Sequence, residues 1–270
     1  MYRGIINVRG ANENIKLTPY EKAEYKKCKK SLAYFIENYV YINTKDHGLE
    51  LFKLTPRQKK EVGRIAFRET VYGSHIAFHS WYRQAGYSSI VMAYVLWKMI
   101  FTPNTTTLLP KARKWKDGIY NMYLFRQMYI ELPYWLKPGV TQWSKNEISF
   151  ENLSHITLRS LNKSCDQARG FAVNILVLDY FDGAPANVAK GIIRNLIYTI
   201  SQMASGKVFI SGLGPNDNTV SGKYWKANKK STDCWFSRYS WEDNPKFDKK
   251  WADEEMRKIG KKRFREYYCR

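Results

Sequence analysis

Short apolar runs alternate with longer helix-like stretches along most of this chain. Four runs rich in apolar and β-branched residues predict buried β-strands, at 75–79, 105–109, 173–178 and 208–211. Stretches of helical length separate these runs, at 88–101, 112–131 and 186–203. Because strands and helices alternate, we predict an α/β fold with a mainly parallel sheet flanked by helices.

A helical segment is expected before this alternating region. Apolar residues at helical spacing predict a peripheral amphipathic helix at 18–43. A second amphipathic helix should follow, with Thr55 as its N-cap and Pro56 as its first residue. We find no internal repeat and no Pro/Gly/Ser-rich linker, so we predict an N-terminal helical appendage at 1–53 and one domain at 54–270.

A hairpin is expected in the second half of this domain. Residues 146–150 and 154–160 alternate polar and apolar side chains on either side of Glu151-Asn152. Alternation with this period is typical of strands that expose one face, so we predict a hairpin on the surface.

The composition adds a strong positive charge to this picture. The sequence has 45 Lys and Arg against 24 Asp and Glu, a formal net charge of +21, which favours a polyanionic partner. Solvated lysine faces on a generally basic protein remain the alternative, because charge alone does not identify nucleic-acid binding.

Other features of the composition exclude several classes of protein. The four cysteines are widely separated and form no C-x-x-C pair, so neither a zinc site nor a disulfide framework is indicated. No apolar run approaches the roughly 18 residues of a membrane span, and the N-terminus lacks an apolar signal region. We therefore expect no membrane partner and a reducing cytoplasm.

The connection at 81–89 is a candidate phosphate-binding loop. A glycine followed two residues later by a hydroxyl pair, where a strand gives way to a helix, is the layout of a P-loop, G-x-x-x-x-G-K-[ST]. Gly86 and Ser88 fit this pattern, whereas Trp81 stands at the first glycine position and Tyr87 at the lysine position. A half-match of this kind is more often an ordinary connection between a strand and a helix.

A second candidate is the acidic residue that follows the run at 173–178. A continuous apolar strand is typical of a parallel sheet covered on both faces, and such sheets bind ligands at the carboxyl ends of their strands. Asp179 is therefore placed to hold a magnesium ion. The alternative is an ordinary polar loop residue, but the phosphate loop earlier in the chain favours the metal site, because the two features form a pair.

Landmarks spread over nearly the whole chain are similar to those of one protein family, in the family's own order. They lie at 35–42, 54–58, 82–89, 132–140, 143–148, 166–170, 178–179, 200–201, 205–207, Trp241, Trp251, Gly260 and 264–266. Together they resemble the ATPase domain of the large terminase subunit, the DNA-packaging motor of tailed bacteriophages. The resemblance implies a P-loop NTPase-type sheet, in agreement with the alternation of strands and helices.

The resemblance implies roles for residues at both candidate sites. The implied ATP-binding residues are Gln58, Arg83, Gln84, Gly86, Ser88 and Ser89. Gln58 matches the adenine-side glutamine of the family, and Gly86 would let the backbone approach the phosphates. Ser88 and Asp179 would hold magnesium, so ATP and Mg are the implied cofactors.

Two of the implied catalytic positions depart from the family. The three implied catalytic positions are Arg83, Tyr87 and Tyr180; the two that depart are Tyr87, in place of the lysine, and Tyr180, in place of the glutamate. A tyrosine offers no cation to offset phosphate charge and is a poor base at neutral pH, so we expect hydrolysis to be very weak or absent. Tyr87 would also put a bulky ring beside the phosphates. We therefore expect ATP to bind at least about tenfold more weakly than to a Tyr87→Lys variant.

Two further features bear on catalysis. The family's threonine-rich coupling segment appears here at 212–216, without hydroxyls. Asp182 could act as a displaced base, but it falls beyond the expected place, and we expect it to be a loop acid.

Two functions follow from the resemblance. In the first, the chain is the motor domain of a terminase and couples ATP hydrolysis to translocation of double-stranded DNA into the capsid. Its partners would be DNA, the portal protein and the small terminase subunit, and it would work in the host cytoplasm, as a homo-oligomeric ring on the portal of the procapsid. In the second, it is a catalytically silent relative that binds DNA, the portal or another subunit without turnover.

A third function is nucleic-acid binding by a module that is unrelated to terminases. An unrelated basic nucleic-acid-binding module would have no nucleotide-shaped cleft. The family continues into an RNase H-like nuclease domain. Because this chain stops where the ATPase domain of its relatives ends, we expect no nuclease activity.

Overall fold

The structure, a computed structural model, describes residues 7–44, 47–71, 75–163, 165, 168, 172–244 and 247–268. The landmark at 166–170 lies outside the described residues, apart from Ala168. The described strands are β1 (Tyr41–Thr44), β2 (Gly48–Leu51), β3 (His75–Trp81), β4 (Thr106–Lys111), β5 (Val140–Trp143), β6 (Glu147–Phe150), β7 (His155–Ser160), β8 (Ile175–Leu178), β9 (Lys207–Ser211) and β10 (Cys234–Tyr239). The described α-helices are α1 (Pro19–Lys30), α2 (Leu32–Tyr39), α3 (Pro56–Val71), α4 (Tyr87–Phe101), α5 (Asp117–Glu131), α6 (Ala186–Gly191), α7 (Tyr198–Ser201), α8 (Val220–Asn228), α9 (Lys249–Ile259) and α10 (Lys261–Tyr268).

A mostly parallel sheet of eight strands forms the centre of the domain. Its strands lie in the order β10–β3–β9–β8–β4–β7–β6–β5. Neighbouring strands from β10 to β7 are parallel, whereas β7, β6 and β5 pair antiparallel. The parallel strands therefore have their carboxyl ends along one edge of the sheet. The predicted α/β fold with a mainly parallel, helix-flanked sheet is confirmed.

The strands and helices predicted from the alternating pattern are present. The four predicted strands correspond to β3, β4, β8 and β9, and the helices at 88–101 and 112–131 correspond to α4 and α5. The helix predicted at 186–203 is less regular, because a π-helical segment at Ile192–Ile197 joins α6 to α7.

The prediction of one helix at 18–43 is wrong at Ser31. The Ser31 N–H donates to the Lys27 carbonyl at 3.0 Å and ends α1, while its hydroxyl accepts from the Tyr34 N–H at 3.2 Å and caps α2. Residues 41–44 then form β1, which pairs antiparallel with β2.

The predicted hairpin exists as β6 and β7, but its placement on the surface is wrong. Strand β7 pairs in parallel with β4, with His155 opposite Thr106, so the hairpin extends the central sheet. Its apolar side chains, Ile148, Ile156 and Leu158, are buried in the core, and this burial explains the placement.

Hydrophobic residues cover both faces of the sheet. Cys28, Phe35 and Phe52 from the first 53 residues belong to the same buried cluster as residues of α3, α4 and α5. Phe78 and its neighbours on the opposite face pack with α6 and α8. Because the N-terminal helices share a core with the sheet, the division into an appendage and a domain at residue 53 stays a prediction. In the part of the chain that the structure describes, no helix is long and apolar enough to cross a lipid bilayer.

A buried carboxylate joins α3 to the sheet. The Glu61 side chain is fully buried, and its Oε1 lies 2.6 Å from His79 Nε2. It also accepts hydrogen bonds from Trp235 Nε1 at 3.2 Å and from Ser237 Oγ at 2.8 Å. Burial alone would raise the pKa of Glu61, but His79, Ser237 and Arg64 outweigh burial and lower that pKa to about 2. At neutral pH an ionised Glu61 therefore ties α3 to β3 and β10.

We predict that Glu61→Gln lowers the free energy of unfolding by about 3 kcal/mol at neutral pH, because a buried imidazole loses its charged partner. Because folding lowers the pKa of Glu61, its contribution is complete above about pH 4.5 and is lost as the pH falls toward about 2. Chemical denaturation over a series of pH values measures both effects, and the acid loss should be smaller in the variant.

Glu37→Gln is the matched control for this prediction. Glu37 makes a partly exposed ion pair with Lys59, and its loss should cost no more than about 1 kcal/mol. If Glu61→Gln proved no more destabilising than Glu37→Gln, the network around Glu61 would not have the importance assigned to it.

Candidate nucleotide-binding site

The loop between β3 and α4 has the backbone of an anion-binding cradle. Gln84 has a φ of 68° and Gly86 a φ of 84°, so left-handed residues occur at alternate positions of the loop. Such alternation is typical of backbone nests that bind anions, although the N–H groups of Arg83 and Ala85 donate here to the carbonyls of Tyr267 and Tyr82. The first intrahelical bond of α4 runs from the Ile90 N–H to the Gly86 carbonyl, which leaves the N–H groups of Ser88 and Ser89 without helical partners. The helix N-terminus therefore faces the same anion position.

Gln58, the predicted adenine contact, braces this loop. Its Nε2 donates to the Ala85 carbonyl at 2.9 Å, and its Oε1 accepts from the Thr55 N–H at 2.8 Å. A Cβ added to Gly86 would lie 2.6 Å from Gln58 Nε2, so glycine is needed there for close packing as well as for its positive φ. Both ends of the Gln58 amide are engaged within the protein, and its role toward adenine stays a prediction.

The structure brings together the two residues that were predicted to hold magnesium. Ser88 Oγ donates to Asp179 Oδ2 at 2.6 Å, although the two residues lie on different strand–helix units. Hydroxyl and carboxylate oxygens suit Mg²⁺, which is usually bound by one or two protein groups together with phosphate oxygens and water. No cluster of three or more His, Cys, Asp or Glu occurs among the described residues. The donor set thus fits a magnesium ion that also binds nucleotide phosphates.

Ser211, at the end of β9, is a site residue that sequence reasoning missed. Its hydroxyl donates to Asp179 Oδ1 at 2.5 Å and accepts from the Tyr180 N–H at 2.8 Å. Strand β9 lies between β3 and β8, so Ser211 occupies the gap between the phosphate loop and the acid. The segment at 212–216 does lack hydroxyls, but the residue directly before it supplies one. A polar residue at the carboxyl end of a predicted apolar strand was the available signal.

Tyr87 does not lie where sequence reasoning placed it. The side chain is only 7% exposed, and its ring stacks on His79 with centroids 4.2 Å apart. Its hydroxyl is buried without a hydrogen-bond partner among the residues described, and burial raises its pKa well above the usual range. Trp81 is buried beside it, with Nε1 donating to Ser237 at 3.0 Å. The expectation of a bulky ring beside the phosphates is therefore wrong, because the Tyr87 ring packs on His79 in the core.

Arg83 is directed toward the C-terminal helix. Its backbone N–H donates to the Tyr267 carbonyl at 2.7 Å, and its guanidinium lies 4.7 Å from the centroid of the Tyr267 ring. The cation of the loop is thus held by α10. The catalytic role implied for Arg83 stays a prediction.

The residues after β8 differ in exposure and partners. Tyr180 adopts a left-handed conformation with φ 45° and leaves its ring 45% exposed. Asp182 accepts hydrogen bonds from the Leu213 N–H at 2.7 Å and from Thr219 Oγ1 at 2.5 Å. These bonds anchor the segment after β9, as expected of a loop acid.

A second carboxylate, Asp117, lies near the site and was not identified from the sequence. It is the first residue of α5 and is partly buried. Burial and the charge of Asp179 raise the pKa of Asp117 to about 6. The preceding loop touches the end of β8, where Trp115 Nε1 donates to the Asp179 carbonyl at 2.8 Å.

We predict that Tyr87→Phe leaves the free energy of unfolding unchanged or raises it by up to about 1 kcal/mol, because an unpartnered buried hydroxyl carries a desolvation cost. Tyr94→Phe is the control: its hydroxyl is also buried but donates to Glu69 at 2.7 Å, and its removal should cost about 1.5–3 kcal/mol. Urea denaturation of the three proteins measures both values. Equal losses in the two variants would mean that the Tyr87 hydroxyl has a partner in solution.

The fold is shared with solved phage proteins, although no family model matches the sequence. The large terminase of HK97 bacteriophage aligns with a TM-score of 0.61 and 16% identity over 82% of this chain and 45% of that chain. A large terminase from a thermophilic bacteriophage, in complex with ADP, aligns with a TM-score of 0.58 and 11% identity over 78% of this chain and 52% of that chain.

The third comparison is with an isolated domain. The large terminase ATPase domain of Thermus phage P74-26 aligns with a TM-score of 0.55 and 14% identity over 76% of this chain and 91% of that chain. The present chain thus spans about half the length of the first two proteins and nearly all of the third. It has the fold of the ATPase domain of phage large terminases, as the sequence resemblance implied.

Proposed function

We propose that this chain binds ATP with magnesium and serves as the DNA-packaging motor domain of a large terminase, coupling ATP hydrolysis to translocation of double-stranded DNA. The observation that supports this best is the contact between Ser88 and Asp179, at the end of a loop with left-handed residues at alternate positions. The ADP complex of one protein with this fold supports the binding of a nucleotide.

Each retained group has a defined task in this function. The loop N–H groups would bind the phosphates, and Ser88 and Asp179 would hold magnesium, which offsets phosphate charge when bound. Ser211 holds the second oxygen of Asp179 and so fixes the orientation of the carboxylate. Gln58 keeps the loop in its curled conformation.

A catalytically silent relative is the second candidate, and the two tyrosines favour it. Tyr87 brings no cation to the loop, and Tyr180 brings no carboxylate to the position after Asp179. Each lost group would cost about 2.7–4 kcal/mol of transition-state stabilisation if it acts like other preorganised electrostatic groups. The two candidates differ in one measurable property, since only the motor releases phosphate from ATP.

The proposed partners follow from the motor function. They are double-stranded DNA, the portal protein and the small terminase subunit, with a homo-oligomeric ring on the portal in the host cytoplasm. The net charge of +21 supports the contact with DNA, because phosphates attract lysine and arginine whatever the base sequence.

We predict that the protein binds ATP in the presence of magnesium and that Asp179→Asn weakens this binding at least about tenfold, a loss of about 1.4 kcal/mol or more. The reason is the loss of a charged magnesium ligand. Isothermal titration with and without magnesium measures the effect, which should be small when the metal is absent. Asp233→Asn is the control, because Asp233 directly precedes β10 and therefore lies at the edge of the sheet opposite the proposed site. Magnesium-independent binding, or none at all, would contradict the proposed site.

We predict duplex binding that is largely independent of sequence and falls at least about tenfold between roughly 50 and 200 mM salt, because phosphate contacts release counterions. Fluorescence anisotropy with two unrelated duplexes measures both properties. A flat salt response, or a strong preference for one duplex, would count against binding through the phosphates.

A further inference from the structure

The position that follows Asp179 lacks a proton acceptor. Enzymes that hydrolyse ATP commonly use a residue that orients the attacking water or takes its proton, and a carboxylate can do both. Tyr180 carries a half-exposed phenol at that position, and Asp182 is engaged with the Leu213 N–H and the Thr219 hydroxyl. Of the residues described directly after β8, neither Tyr180 nor Asp182 is therefore placed to accept this proton.

The neighbouring strand brings another carboxylate to the same edge. Strand β4 is the parallel neighbour of β8, with Thr107 opposite Ile175, so the two strands end side by side. Helix α5 follows β4 and begins with Asp117. A Cβ added to Gly118 would lie 2.5 Å from the Pro110 carbonyl, which shows how closely the start of α5 packs on the end of β4.

The loop between β4 and α5 is attached to the end of β8. Trp115 is 1% exposed, and its indole N–H donates to the backbone carbonyl of Asp179 at 2.8 Å. Asp117 lies two residues further on, so this bond holds the start of α5 near the end of β8. In the part of the chain that the structure describes, no Lys, Arg or His lies within ion-pair distance of Asp117.

We propose that Asp117 is the general base for ATP hydrolysis in this chain, in place of the glutamate that Tyr180 replaces. Its carboxylate takes a proton from water as the water oxygen forms a bond to the γ-phosphorus. The bond between that phosphorus and the β–γ bridging oxygen breaks, and its electron pair leaves with ADP. Asp117 then returns the proton to solvent. This inference rests on the proposed function.

The local environment supports this role. Burial raises the pKa of Asp117, so its carboxylate is a stronger base than that of an ordinary aspartate. Asp179 keeps its two oxygens on Ser88 and Ser211. The two carboxylates therefore have separate roles: Asp179 would bind the magnesium ion, and Asp117 accepts the proton of the attacking water.

The test compares Asp117→Asn with Glu131→Gln, a carboxylate at the opposite end of the same helix. We expect single-turnover hydrolysis of ATP to fall at least about 100-fold in Asp117→Asn and to stay at the wild-type rate in Glu131→Gln. Titration calorimetry should show magnesium–ATP binding within about threefold of wild type in both variants. Added formate should restore part of the rate in Asp117→Ala but not in Asp117→Asn, because only the alanine variant leaves room for an external base.

Three outcomes would overturn the assignment. They are an unchanged rate in Asp117→Asn, a loss of binding that accounts for the loss of rate, and a wild-type protein that binds ATP without hydrolysing it. The last outcome leaves nucleotide binding intact, whereas failure of the wild type to bind ATP would reject the proposed function itself. Circular dichroism checks folding, and Asp117→Ser, which suits a helix N-terminus, replaces any variant that does not fold.

Discussion

Parallel strands that end along one edge impose the arrangement on which the site depends. Ser88 after β3, Asp179 after β8 and Ser211 at the end of β9 meet there through hydrogen bonds of 2.6 and 2.5 Å. The strands below are buried on both faces and largely apolar, and the buried side chain of His79 is paired with Glu61, so the polar groups of the site gather where the strands stop. Asp117 lies at the same edge for the same reason, because it begins the helix that follows β4.

The side chains packed below the loop between β3 and α4 are the feature that differs most from an ordinary P-loop. An aromatic and ionised layer fills the space below it, with the Tyr87 ring on His79 and His79 against Glu61. An anion at this loop would therefore meet main-chain N–H groups rather than a side-chain cation of the loop, since Arg83 stacks on Tyr267.

The central strands were predictable from sequence because apolar runs are local signals, and the pairing of Ser88 with Asp179 followed from the family resemblance. Other features depend on contacts that no local pattern records. Strand β10 has buried polar residues such as Ser237, whose partner Glu61 comes from a distant helix. The orientation of Tyr87 follows from that same network. No local pattern in the sequence identified Asp117, and only the contact between Trp115 and Asp179 distinguishes it.

The bond between the Arg83 N–H and the Tyr267 carbonyl joins the beginning of the loop to the far end of the chain. Tyr82 adds to this attachment, since its ring contacts those of Phe247 and Tyr268, and Phe247 in turn stacks on Trp251 at 3.9 Å. The loop and the C-terminal helices are thus joined by a main-chain hydrogen bond and by aromatic contacts. A movement of α10 would act directly on the peptide at the beginning of the loop, and a ligand that reshaped this peptide would act on α10 in return.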